Sequence, residues 1–281
     1  NKLANVMPAS PLPYLLMAQM QLSAKDNKAA LHSLNKAVEI KADFLPAQRA
    51  LVELAVASQQ KDQALALSKS VQKQRPTQTV GYTLEGDVQA VFKQWDAAAQ
   101  SYRASLKLAA SPDVAIRLYS VLNSAGKSAD ADRWVAEWNQ AHPKDVAVSM
   151  YLGDRAIQAG KLPAATQHYQ RVVGLQPGNA LALNNLAWLA GEQGRPDAVE
   201  LAEKANAAAP DQPAFMDTLA MLLSAKGEHA KALELQKKVL ALKPDAPVFK
   251  LNMAKIQIAA GDKTGARQNL DALSALGDKF A

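Results

Sequence analysis

The chain has 281 residues, a formal net charge of +6 and no cysteine. The missing cysteine excludes disulfides, cysteine nucleophiles and thiolate metal sites. The excess charge is thin: +4 over residues 1–140 (16 Lys and Arg against 12 Asp and Glu) and +2 over 141–281 (16 against 14). No basic block of the kind that reads nucleic acid results. Nor does any apolar run approach membrane-spanning length.

The opening, Asn1-Lys2, lacks an initiator Met, and the regions of a signal peptide are missing. Processing or a longer parent chain is therefore expected. Residues 1–10 form a lead-in, and Pro8, Pro11 and Pro13 mark entry to a first helix near Tyr14. From there one letter recurs. Ala30, Ala64, Ala98, Ala131, Ala165, Ala198, Ala232 and Ala266 stand 33 or 34 residues apart. Gly126, Gly160, Gly194, Gly227 and Gly261 precede five of them by four or five residues. Pro76, Pro143, Pro177, Pro210 and Pro244 follow five of them by twelve. Ala18, Gly86, Gly153, Ala220 and Ala254 stand twelve residues ahead of others. Such a period predicts stacked helix pairs. The alanine and the small residue permit a close crossing of the two helices. The glycine makes a left-handed turn between them, and the proline ends the pair.

Eight units are expected, starting near residues 11, 45, 79, 112, 146, 180, 213 and 247 and ending at 276, with a tail at 277–281. The first two are the most degenerate: Lys25 and Gln59 stand where later units have the turn glycine, and Ser68 replaces an aromatic. Trp95, just ahead of Ala98, is placed at the inter-helix turn. Trp134 and Trp138 lie four apart on one helix, either as core or as an exposed aromatic pair. His142, before Pro143, is expected near the last carbonyls of that helix. In the sixth unit Ala198 arrives one residue early after Gly194. Lys231, Lys237, Lys238 and Lys243 read as a solvated outer face. The last helix lacks a polar capping helix, leaving apolar surface for Phe280 or a neighbour.

The clearest unit, residues 146–179, carries Leu152-Gly153, Gly160, Ala165, Tyr169 and Pro177. These residues resemble the tetratricopeptide repeat, and the resemblance covers nearly the whole chain. It implies an all-α, right-handed superhelix, an α-solenoid of about eight helix-turn-helix units. Further along, Leu183-Asn184-Asn185-Leu186-Ala187-Trp188, Ala202-Glu203-Lys204-Ala205, Asp217-Thr218-Leu219-Ala220 and Gly261-Asp262-Lys263 resemble a narrower family. It is the tetratricopeptide-repeat lipoproteins of the PEP-CTERM/exosortase system, called PrsT, and the likeness is strongest over residues 180–276. That resemblance implies a scaffold of the bacterial cell envelope, linked to exopolysaccharide biosynthesis and export. It also implies attachment through a lipid-bearing cysteine upstream of these residues.

No catalytic motif is present: no G-x-S-x-G, P-loop or G-x-G-x-x-G occurs. His32, His142, His168 and His229 fall in different units without metal spacing. No enzyme activity, cofactor, metal or nucleic-acid partner is expected. Asp87 and Asp154 lie two units apart, too far for a glycosidase pair. What remains is binding. The resemblance implies that first helices line a concave groove, where the fifth and ninth residues of each unit point inward. Those positions give Arg49, Glu53, Asp87, Asp154, Asn184, Trp188, Asp217 and Lys255, and the sixth adds Asn185 and Asn252. Amides both donate and accept, so they suit an extended ligand. Trp188 offers a flat apolar surface. Equally, the asparagines can bond neighbouring backbone and Trp188 can pack between helices. The expected occupant is a protein segment. Alternatives are a polysaccharide strand or, for a generic co-chaperone or assembly adaptor, a partner's carboxylate tail. The mixed signs of Arg49, Glu53, Asp87, Arg117 and Asp154 do not favour that tail.

Overall fold

The computed structural model describes residues 7–275. The expected tail at 277–281, with Phe280, lies outside the described residues, as does most of the lead-in. The chain divides into two compact units, residues 1–148 and 149–281. Among the described residues all regular structure is α-helical, in sixteen helices. In the first unit they pair as α1 (Leu12–Ser23) with α2 (Asn27–Ile40), α3 (Leu45–Ala57) with α4 (Lys61–Gln74), α5 (Val80–Val91) with α6 (Trp95–Leu108), and α7 (Pro112–Ser124) with α8 (Ser128–Ala141). The second unit takes α9 (Ala147–Gln158), which opens at the boundary, with α10 (Leu162–Leu175). It continues with α11 (Ala180–Glu192) and α12 (Ala198–Ala208), α13 (Pro213–Ala225) and α14 (His229–Leu242), and α15 (Pro247–Ala259) and α16 (Lys263–Ser274). Each unit is a helical solenoid in which consecutive helices pack on one another, so each unit has its own continuous seam of core.

The alanine ladder is the centre of each seam, with four alanines in each unit. All eight alanines are buried, six of them completely. Seven sit at the fourth residue of a second helix. The exception is Ala198, which opens α12 itself, so this helix has 11 residues where the other second helices have 12 or 14. The missing residue ahead of Ala198 is absorbed by starting the helix late. Opposite the ladder, Gly86 and Gly153 lie beneath tyrosine rings. A Cβ on Gly86 would stand 2.5 Å from Tyr102 Cε1, and one on Gly153 would stand 2.7 Å from Tyr169 Cζ. Both rings are buried. Only glycine lets these rings sit flat against the first helix.

The turns between paired helices are all of one kind. In each of the eight, the second residue past the first helix has φ between 57° and 86°. The residue after it donates its N–H to a carbonyl five residues back, as in Asp26→Gln21 (2.8 Å), Lys127→Leu122 (2.9 Å) and Asp262→Gln257 (2.9 Å). This is the Schellman closure of a helix C-terminus. Five of these positions are glycine. The other three are Lys25, Gln59 and Lys93, so degenerate units keep the turn despite a side chain in the left-handed region. Second helices end at prolines: Pro76, Pro143, Pro177, Pro210 and Pro244 each lie two residues past a helix. Asp26, Ser111, Asn179 and Asp262 cap helix N-termini by accepting a backbone N–H.

The three side chains at positive φ lead to a measurable expectation. A left-handed non-glycine residue costs about 1–2 kcal/mol, and glycine returns about 0.5–1 kcal/mol of that as unfolded-state entropy. Lys25→Gly, Gln59→Gly and Lys93→Gly should therefore each stabilise by about 0.5–1 kcal/mol, and their effects should add because the three turns belong to three different helix pairs. Urea denaturation checks this, and a loss of stability in the triple variant would contradict the turn assignment.

Candidate partner-binding grooves

First helices present their fifth, sixth and ninth residues on one face, because three- and four-residue steps align along a helix. In the first unit this face holds a pocket of about 400 Å³ among α3, α5 and α7. Three of the sequence-predicted residues meet there: Arg49, Glu53 and Asp87. Asp87 is already engaged. It accepts the Tyr102 hydroxyl (2.8 Å) and forms an ion pair with Arg117 of the next helix pair. The pocket floor was not among the sequence-predicted residues. It is Val52, Val56, Leu84, Val88 and Val91, all aliphatic. Extending the count to the tenth and thirteenth residues of each repeat, one turn further, finds Val88 and Val91.

A pocket of about 440 Å³ occupies the same face of the second unit, among α11, α13 and α15. It gathers Trp188, Asp217, Asn252 and Lys255. Trp188 is 38% exposed, so it offers part of its surface to the pocket while the rest is covered by its neighbours. Leu222 enters the pocket because Gly191 leaves room: a Cβ there would lie 2.5 Å from Leu222 Cδ2. At one wall Asp217 accepts two amide donors, Gln236 Nε2 at 2.7 Å and Asn252 Nδ2 at 2.7 Å. Gln236 also donates to Phe249 O (2.9 Å), tying α13, α14 and α15 together. Asn252 is thus bonded to a neighbouring side chain, where backbone was the expected alternative.

Asp154, Asn184 and Asn185 line neither pocket. Asp154 accepts the Tyr169 hydroxyl, repeating the Tyr102–Asp87 bond one repeat-pair later, and Asn185 also reaches that hydroxyl. Burial, followed by the adjacent carboxylate, raises the pKa of both tyrosines, so both stay protonated donors. The Asn184 side-chain oxygen is buried with no hydrogen-bond partner among the described residues. The asparagines of α11 therefore stand outside the pocket, with Asn185 turned to the Tyr169 hydroxyl.

The other singled-out residues lie elsewhere. Trp138 is buried, with its indole N–H on Asp145 (2.6 Å), and Trp134 donates to Ala115 O (3.2 Å). The His142 ring lies tilted against Trp138 with centroids 4.0 Å apart, and the expected contact with the last carbonyls of the helix is made by its backbone N–H, to Trp138 O at 2.8 Å. Trp95 opens α6 and packs into the core beside it. Among the described residues no group of His, Asp and Glu is placed to hold a metal ion, and no helix is long and apolar enough to cross a membrane.

Comparison with known proteins agrees with this geometry. Residues 223–280 match the tetratricopeptide repeat. A chain of the crystal structure of the APC/C hetero-tetramer Cut9–Hcn1 has a similar fold, with a TM-score of 0.51 and 16% identity over 96% of this chain. The present chain spans 54% of that protein's length. MamA 41-end from Desulfovibrio magneticus RS-1 is similar over 59% of this chain and 94% of its own, with a TM-score of 0.51 and 17% identity. At such identities the likeness is one of fold. No curated protein matches the sequence.

Asp217 supplies a pH test of the second groove. Burial raises its pKa above the ordinary 3.8, against the opposing pull of Gln236, Asn252 and Lys255. A carboxyl raised on folding binds more protons in the native than in the unfolded state, so its ionisation lowers stability as pH climbs through that window. Asp217→Asn has no such titration. The stability of the native sequence relative to this variant should fall as pH rises from 3.8 through the raised pKa. Denaturation curves at several pH values measure the difference; one that stays flat or grows would show that Asp217 is not held in a desolvating site.

Proposed function

We propose that this protein is a non-catalytic scaffold that holds an extended segment of a protein partner in the groove of its second unit. The observation that carries this reading is Trp188. An indole 38% exposed, in a pocket of about 440 Å³, beside fixed polar groups, has the composition of an interface hot spot. Asp217 accepts from both Gln236 and Asn252, so the pocket wall is organised before a ligand arrives, which lowers the entropy lost on binding. Lys255 adds a cation at the rim, and Met221 and Leu222 supply apolar floor. A main-chain amide of the ligand has donors and acceptors to meet here, and an apolar side chain has the indole to cover.

The partner belongs, in this reading, to exopolysaccharide machinery of the exosortase system at the bacterial cell envelope. Support for that comes from the resemblance of Leu183–Trp188, Asp217–Ala220 and Gly261–Lys263 to the PrsT lipoproteins. Attachment to a membrane would use an anchor outside these residues.

The test is a pull-down from a bacterial envelope extract, followed by affinity measurement with tiled peptides of the captured protein. Trp188→Ala with Lys255→Ala leaves the Asp217 wall intact. The pair should weaken peptide binding by roughly 30-fold or more, equal to about 2 kcal/mol for a lost hot spot. Unchanged affinity with an intact helical spectrum would overturn the groove assignment. Retention of purified exopolysaccharide in place of any peptide would replace a protein ligand by a polymer strand.

A further inference from the structure

Consecutive helix pairs meet through two recurring side-chain contacts. In the first, the twelfth residue of one repeat touches the tenth residue of the next. Leu22 and Leu54 share one cluster of core, Val56 and Val88 another, and the space that Gly191 leaves is filled by Leu222. In the second, the eighth residue of a second helix touches the sixth residue of the next repeat. The Tyr102 hydroxyl meets Arg117 in this way, and the Tyr169 hydroxyl meets Asn185. Leu34 and Ala50 make the same contact with apolar groups.

Inside the array these positions are mostly covered. At the tenth residue, Leu54, Val88, Val121, Leu189 and Ile256 are buried. At the eighth residue of second helices, Leu34, Ser68, Tyr102, Tyr169 and Gln236 are buried. The first and last pairs depart from this, each on its outer side. In the first pair Met20, at the tenth position, is 73% exposed, and Leu16, at the sixth, is 42% exposed. In the last pair Ile258, at the twelfth, is 57% exposed, and Leu270, the eighth residue of α16, is 39% exposed. The end units of a repeat array ordinarily turn a polar outer face to water. Here all four contact positions are large and apolar. They are also complementary: the first pair and the last pair each carry one half of both contacts that join neighbours inside the array.

We infer that a second copy of this chain docks its first helix pair on the last pair of its partner, head to tail, in the register of an internal junction. Ile258 of one protomer then covers Met20 of the other, and Leu270 covers Leu16. Such a contact uses a different face on each copy, so one face of each kind stays free and association runs past two copies unless it closes into a ring. The inference goes beyond the proposed scaffold role and asks nothing of the Trp188 groove.

Sedimentation velocity of the 281-residue chain, from micromolar to millimolar concentration, is the test. The expected result is reversible association that grows with concentration. Met20→Glu or Leu270→Glu puts a charge into the contact and should weaken association roughly tenfold or more. Mixing the two variants should restore a species of two copies and nothing larger, because Met20→Glu leaves the last pair intact and Leu270→Glu leaves the first. Leu16→Glu and Ile258→Glu repeat the partition on the other two residues. All four positions are exposed, and an unchanged helical spectrum checks the fold of each variant. Register is read by cross-linking. The chain has no cysteine, so on oxidation copies carrying Met20→Cys should join copies carrying Ile258→Cys in preference to their own kind. A chain that stays monomeric at every concentration would overturn the inference. So would association abolished by Leu270→Glu but indifferent to Met20→Glu, which means two last pairs facing each other, or cross-linking of like with like.

Discussion

The structure depends on the contact between a side chain of the second helix and a residue of the first that has almost none. Where Tyr102 and Tyr169 lie on Gly86 and Gly153, the ring fills the space a Cβ would take. Where Ala30, Ala64 and their successors are buried, a methyl group is all the crossing admits. Interiors pack at crystal-like density, so a gain of one methylene at such a point is felt by both helices. The left-handed turn fixes how the chain returns, and the proline fixes where it leaves. Together they make each pair a unit whose remaining apolar surface can be covered only by the next pair.

That arrangement assigns work to the two helices of a pair. Most second helices are drawn into the seam at their fourth, eighth and eleventh residues, as in Ala165, Tyr169 and Val172, and the shortened α12 uses its first, fifth and eighth, Ala198, Ala202 and Ala205. The first helices bury one side and leave another free, and the binding chemistry gathers there. Polar side chains of the seam then serve the grooves from below: the Tyr102 hydroxyl holds Asp87 and Gln236 holds Asp217, while the Tyr169 hydroxyl makes the same bond to Asp154 outside both pockets. Gln236 is fully buried, and its second function, donation to Phe249 O, links consecutive pairs. Core and groove are joined through these hydrogen bonds.

Much of this was legible in the residue pattern. A period of 33 or 34 with a small residue at a constant place admits few folds, and the ladder located second helices to within a turn. Groove positions followed from the family resemblance together with helical spacing, and Arg49, Glu53 and Asp87 line one pocket while Trp188, Asp217, Asn252 and Lys255 line the other. Less visible was which of them are internally bonded. Asn252 and Asp217 sit in different repeats, and nothing in one sequence marks two polar residues 35 apart as partners. The left-handed turns at Lys25, Gln59 and Lys93 were hidden for a different reason. Their local residue type argues against that conformation, and the tertiary crossing imposes it. The valine floor escaped notice because, on a buried-looking stripe, groove residues and core residues have the same composition.

The interlock of ring and glycine can be measured by a double-mutant cycle on Gly153→Ala and Tyr169→Leu. Alone, the alanine Cβ would meet the Tyr169 ring at 2.7 Å, and overpacking of this kind costs about 1–3 kcal/mol. The smaller, flexible leucine makes room for it. Equilibrium unfolding should therefore show Gly153→Ala to be destabilising beside tyrosine and nearly neutral beside leucine, a coupling of more than about 1 kcal/mol. Equal effects of Gly153→Ala in both backgrounds would mean that the close crossing is not what holds the helix pair together.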